Sequence, residues 1–143
     1  MKHPLKADLI SNVTTALLED LGDGDITAAL IPADEQAHAR VITRQDATIC
    51  GVDWVNEVAK QVDTSLEVIW NVADGDNAVA NQILFEAKGS ARSLLTFERC
   101  ALNFLQCLSG TASTSAYYAG LVAHTQVKPV SYTHLTLPTI CSV

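Results

Sequence analysis

The stretch from Leu94 to Gly110, Leu-Leu-Thr-Phe-Glu-Arg-Cys-Ala-Leu-Asn-Phe-Leu-Gln-Cys-Leu-Ser-Gly, constrains the fold more than any other part of the chain. At about 100° per residue, Leu94, Phe97, Ala101, Leu102, Phe104, Leu105 and Leu108 gather on one broad face. Arg99, Asn103 and Gln106 line up on the other side. Such a segment is a helix that has to bury one side against something else. Glu98 falls inside the apolar arc, where an unpaired carboxylate is too costly to keep, so it is expected at an edge or beside a partner. Gly110 follows the last periodic residue and is expected to end the helix in the left-handed region. Ser109-Gly110-Thr111 then reads as capping chemistry, with a second helix over 111–123.

Upstream the periods change. Leu5, Leu9, Val13 and Leu17 recur every fourth residue, predicting a first helix that Leu21-Gly22 can close. The acids that follow form a turn, in which Asp25 can cap a short helical segment over 26–31 that Pro32 ends. Residues 37–44 alternate small or apolar with polar, a half-exposed strand, and 47–50 are expected to continue its sheet after a turn. Beyond Gly51, residues 52–62 place Val55, Val58, Ala59 and Val62 on one side of a helix. Residues 66–70 return as a strand, Asp74-Gly75 is a turn, and 81–87 are another strand. Strands interleaved with helices to about residue 90, and helices after it, indicate an α+β architecture built as an α/β sandwich of mixed topology.

The formal charge of −7 is unevenly spread. Every Asp and Glu lies at or before Glu98, and past Arg99 only Lys128 carries a formal charge, so the last third has no carboxylates to hold a divalent metal. Lys and Arg do not cluster, which argues against nucleic acid as a partner. No run approaches the roughly 20 apolar residues that span a bilayer, and Met1-Lys2-His3-Pro4 opens no apolar segment of signal length. A soluble, cytoplasmic protein with no membrane partner is expected. Cys50, Cys100, Cys107 and Cys141 lack C-x-x-C spacing and read as free thiols rather than metal ligands or disulfides. His3, His38, His124 and His134 form no pattern with acids or cysteines and read as solvated or core side chains. The acidic group Glu19, Asp20, Asp23, Asp25 lacks the glycine and glutamate spacing of a calcium loop, so no metal site is expected there.

Three collinear motifs resemble one family. Leu94 to Gly110 matches, residue for residue, the pattern L-L-T-x-E-R-x-A-L-N-x-x-x-x-L-S-G of the quinolinate phosphoribosyltransferases, also called nicotinate-nucleotide pyrophosphorylases (carboxylating). Glu19 to Thr27 resembles that family's E-D-x-G-x-G-D-x-T entrance, and Gly75-Asp76 with Leu84-Phe85-Glu86 its G-D…L-F-E strand. The resemblance implies the N-terminal α/β sandwich domain of a type II phosphoribosyltransferase over 1–109, the first part of a catalytic α/β barrel over 110–129, and a non-family tail over 130–143. The implied enzyme converts quinolinate and phosphoribosyl pyrophosphate, with Mg²⁺, to nicotinate mononucleotide, pyrophosphate and CO₂ in de novo NAD biosynthesis. It is implied to work as a homodimer or a higher homo-oligomer.

The same resemblance implies a role for Arg99, which is expected to reach across a dimer and bind the dianionic substrate in the partner's active site. A guanidinium fork meets planar anions with paired hydrogen bonds, which suits that role. The residues alone also allow a solvated arginine paired with Glu98 or another neighbour. Glu98, Asn103 and Gln106 are expected to support Arg99 from nearby. A barrel needs on the order of 200 residues, and only 126–143 follow Thr125, so no catalytic residue is expected here. The chain by itself is expected to be inactive and to bind no Mg²⁺. Where the family reads T-R-K-T-L-P, Thr133 to Pro138 would put His134 for the arginine and Leu135 for the lysine. A leucine cannot bind a phosphate, so 130–143 are expected to be an aberrant tail.

Three other readings stand beside this one: a non-catalytic dimerisation remnant, a paralogue associated with molybdate transport operons, and a carrier module. The paralogue would differ in the barrel. The carrier reading comes from 72–85, which resemble the V-x-x-G-D-x-V-x-x-G-Q-x-L strand pattern of biotinyl and lipoyl domains. Against it, such carriers present a lysine in a hairpin, commonly beside methionine, whereas Lys88 is followed by Gly89 and the only methionine is Met1.

Overall fold

The computed structural model describes residues 5–22 and 24–126. The expectations for the tail, and for Lys128, His3, His134, Asp23 and Cys141, fall outside those residues. Helix α1, Leu5–Leu21, buries Val13 and Leu17 and closes where Gly22 takes a left-handed φ of 48°. Asp25 then caps α2, Ile26–Ala29, its Oδ1 accepting the Ala28 N–H at 2.9 Å.

The fold is α+β. Strands β1 (Gln36–Ile42) and β3 (Glu67–Trp70) pair antiparallel on either side of β5 (Ile83–Ser90), giving a sheet of order β1-β5-β3. Helix α3, Val52–Val62, lies in contact with α4, Ala91–Val122, and buries Val55, Val58 and Ala59. Its N-terminal amides are met from a distant loop: Asp74 Oδ1 accepts the N–H groups of Gly51 and Val52 at 2.8 and 3.0 Å. Phe85 stands at the centre of the core, tilted against Trp70 at 4.6 Å and edge-on to Phe97 at 6.3 Å. Trp54 of α3 stacks on Phe104 of α4 at 4.8 Å, joining helix to helix as Phe85 and Phe97 join sheet to helix.

Four sequence expectations are corrected. Ala47–Thr48 (β2) does not continue the main sheet but pairs with Asn77–Ala78 (β4) in a separate two-stranded ladder. Asp46 Oδ1 accepts the Ala80 N–H and draws the segment onto that partner. Strand β5 begins at Ile83 rather than 81, because Asn81 takes a left-handed φ of 68° beside a turn closed by Gln82 N–H to the Val79 carbonyl. It also runs on to Ser90, past Gly89, whose φ of 151° lets the chain pass over Leu66. Strand β1 is more exposed than half. Only Val41 is partly covered, since the inward-facing Ala37 and Ala39 line a groove beside α4 instead of lying under it.

The fourth correction concerns Gly110, which does not end a helix. α4 runs unbroken for 32 residues, and Gly110 is absent from the positive-φ positions. A glycine inside a helix costs about 1 kcal/mol relative to alanine; tertiary contacts on either side offset that. Ser109 Oγ accepts the Cys50 N–H at 3.0 Å and donates to the Cys50 carbonyl at 3.1 Å. One turn on, Ser113 Oγ accepts the Thr48 N–H at 2.8 Å. These hydroxyls are not caps; they bolt α4 to the chain around β2.

Candidate functional site

Arg99 projects from the exposed face of α4, with its side chain 73% accessible. Its partner is not Glu98. The Nη1 donates to Oδ1 of Asp20 at 2.9 Å, and that carboxylate is only 22% accessible. Asp20 lies in the last turn of α1, which carries no basic residue. A carboxylate there faces the negative end of the helix dipole, which is unfavourable by a few tenths to about 1 kcal/mol, and the guanidinium offsets it.

One helical turn before Arg99, Thr96 donates its hydroxyl to Asp25 Oδ2 at 2.8 Å. The acidic motif that ends α1 and runs on to Asp25, and the Thr-x-Glu-Arg motif of α4, are therefore one junction, tied at two points three residues apart on the helix. That junction takes up Asp20 and Asp25. Among the described residues, no group of three or more His, Cys, Asp or Glu side chains could hold a metal ion.

The other candidates divide. Glu98 is exposed, at the edge of the helix's apolar face, and has no hydrogen bond or ion pair among the described residues. It borders both the apolar groove against β1 and a larger, more polar groove of about 820 Å³. Gln106 lines that larger groove together with Arg40, Arg44, Thr43 and Ser113. Asn103 is exposed, and like Arg99 it lies outside both grooves. Arg99 and Asn103 thus stand apart from Glu98 and Gln106 on the same helix.

The thiol beside Arg99 is not poised as a nucleophile. Cys100, next in sequence, is buried, and burial, followed by the nearby Asp20 charge, pushes its thiol up from its usual value. Burial does the same to Cys50, with Asp74 adding to it. The described cysteines Cys50, Cys100 and Cys107 are free. His38 is neither solvated alone nor in the core: its Nε2 lies 2.6 Å from Glu86 Oε2 across the β1/β5 pair. Lys88 sits within a strand, opposite His38 and Glu67, rather than in a hairpin. What the junction offers is a held, accessible guanidinium with donors to spare, a geometry that planar anions can meet with paired hydrogen bonds.

Sequence reasoning missed Asp20 as a partner. The signal for it was a carboxylate in the last turn of a helix with no base beside it. Asp25 was legible as a cap, but its second oxygen was not, because a contact 71 residues away leaves no periodic trace.

Residues 25–109 match the family model described as quinolinate phosphoribosyl transferase, N-terminal domain. The chain is 38% identical over 113 residues to a chloroplastic nicotinate-nucleotide pyrophosphorylase (carboxylating) of Oryza sativa subsp. japonica, covering 78% of this chain and 30% of that protein. It is similar to the solved nicotinate-nucleotide pyrophosphorylase of Francisella tularensis, with 41% identity and a TM-score of 0.78 over 81% of this chain and 42% of that one. For NadC of Streptococcus pyogenes the identity is 31% and the TM-score 0.78, over 86% and 44%. The chain spans about a third of the length of the curated relatives it matches. Among the described residues, no helix is long and apolar enough to cross a membrane.

Proposed function

Because this chain belongs to the quinolinate phosphoribosyltransferase family, whose N-terminal domain it carries, we propose that it is part of an enzyme that joins quinolinate to phosphoribosyl pyrophosphate. The products are nicotinate mononucleotide, pyrophosphate and CO₂, a step of de novo NAD synthesis. The observation that carries the reading is Arg99, anchored at one nitrogen and 73% accessible on a helix that carries the family's pattern. In a homodimer it would bind the substrate dianion in the partner's site, where the resemblance puts the chemistry. Residues 1–109 form the domain, 110–129 lead into the barrel, and 130–143 depart from the family pattern.

The Mg²⁺ that accompanies phosphoribosyl pyrophosphate would neutralise charge on the leaving pyrophosphate. The carboxylates nearest Arg99 do not fit it, since Asp20 is taken up by Arg99 and Asp25 by Ala28 and Thr96. The reading also includes a cytoplasmic location. The rice relative is chloroplastic, so fractionation of the source cell against organelle markers tests that part.

The test of Arg99 uses the complete enzyme that carries this domain. Arg99→Ala is expected to lower kcat/KM for quinolinate roughly a hundredfold. Mixed with a variant that keeps Arg99 but has a disabled barrel, it is expected to regain activity through hybrid dimers. Full activity of Arg99→Ala sinks the reading, and absence of recovery sinks its placement across the dimer. The 143-residue chain by itself is expected to yield no nicotinate mononucleotide.

A further inference from the structure

We propose that Asp20 is a positioning residue for Arg99: it grips Nη1 and leaves Nε and Nη2, which have no partner among the described residues, set to receive an anion. The inference rests on the reading of Arg99 as a substrate contact.

Three observations converge on it. The contact is a charge-assisted hydrogen bond of 2.9 Å, and its carboxylate end is the sheltered one, 22% against 73% accessible. An unheld arginine on a helix surface spreads over many rotamers, and ordering it on binding reduces affinity; a guanidinium already fixed loses less. Next, Asp20 occupies a place its own helix disfavours, the last turn of α1 with no basic residue there. Glutamine or lysine would serve that turn better, so the carboxylate answers to Arg99 rather than to α1. Finally, the backbone beneath Arg99 is held from the same motif by Asp25, through Thr96 at 2.8 Å. One contact fixes the helix and the other fixes the side chain. A carboxylate beside the guanidinium also weakens its pull on an anion, so orientation and neutralisation act in opposite directions, and their balance is measurable.

The experiment is a double-mutant cycle in steady-state kinetics on the complete enzyme carrying this domain, with quinolinate as the varied substrate. Asp20→Asn is expected to raise KM about fivefold with kcat within about twofold. Asp20→Glu should recover most of the loss, and Asp20→Asn should add nothing in an Arg99→Lys background. A KM that is unchanged or lowered in Asp20→Asn overturns the proposal, the lowered value meaning that neutralisation outweighs orientation. So does an equal rise in the Arg99→Lys background, or a fall in kcat and melting temperature with KM unmoved, which would mark Asp20 as structural. Those outcomes leave Arg99's own role standing. Only full activity of Arg99→Ala, with kcat/KM for quinolinate unaltered, removes the reading beneath the proposal together with it.

Discussion

Asp25 divides its carboxylate between two elements: Oδ1 accepts the Ala28 N–H at 2.9 Å and Oδ2 accepts the Thr96 hydroxyl at 2.8 Å. One side chain therefore caps α2 and joins it to α4. Asp25→Ala is expected to lower stability by about 1–2 kcal/mol, the upper range for a lost cap, because the second bond goes with the first. Urea unfolding of Asp25→Ala, Thr96→Val and the double variant measures it. Strict additivity of the two single changes would show that the oxygens act independently.

Gly51 holds a φ of 122° where the chain enters α3, and its face lies against α4. A Cβ there would stand 3.2 Å from Leu108 Cδ1 and 3.5 Å from Leu105 Cα. Gly51→Ala faces a strained backbone on one side and a packed helix on the other, and is expected to destabilise by about 2 kcal/mol. Thermal melting against wild type decides it; a rise in Tm would mean the entrance to α3 can shift without penalty.

The pattern of what the sequence disclosed is itself physical. α1 and α3 were legible because burial there follows a single helical period, as Val13 and Leu17, or Val55, Val58 and Ala59, display. β3 was legible to within a residue for the same reason in period two. The run of α4 through Gly110 was not, since the cause of its continuation lies in Ser109 and Ser113 bonding to Cys50 and Thr48, about 60 residues upstream. β2 was assigned to the wrong sheet because strand pairing is decided by the partner, not by the strand. At the candidate site the arginine was legible from its motif, while the acid that holds it was legible only as a residue out of place on its helix.

Asp63 makes acid stability testable. Its carboxyl is held below its ordinary value of 3.8, first by the Ser65 hydroxyl, then by the Ser93 hydroxyl and the Ser65 N–H. Because the folded value is the lower one, the unfolded chain binds the proton more readily. This contribution is fully present above the unfolded value near 3.8 and is lost as pH falls through the folded value. Asp63→Asn is therefore expected to be less stable than wild type at pH 6 and to close that gap below pH 4, in urea titrations at each pH. A gap independent of pH would mean that the substitution acts through shape rather than charge.

Beyond Ser113, α4 projects with its side chains largely uncovered. Tyr117, Tyr118 and Leu121 are 63%, 57% and 53% exposed, and the two tyrosine rings meet edge-on at 5.3 Å. Tyr117 and Leu121 are four residues apart and so share a face with Tyr118 at its margin. Large apolar side chains gathered on one exposed helix face drive association. The 143-residue chain is expected to self-associate at micromolar concentration, and Tyr117→Lys with Leu121→Glu to shift it toward monomer. The substitutions sit at i and i+4, so they introduce an ion pair in place of the patch and leave the helix intact. Sedimentation velocity of both proteins, with circular dichroism to verify equal helix content, gives the answer. If the double variant sediments like the parent, the contact surface lies elsewhere, and the uncovered groove between β1 and α4, bordered by Leu95 and Leu102, becomes the next place to substitute.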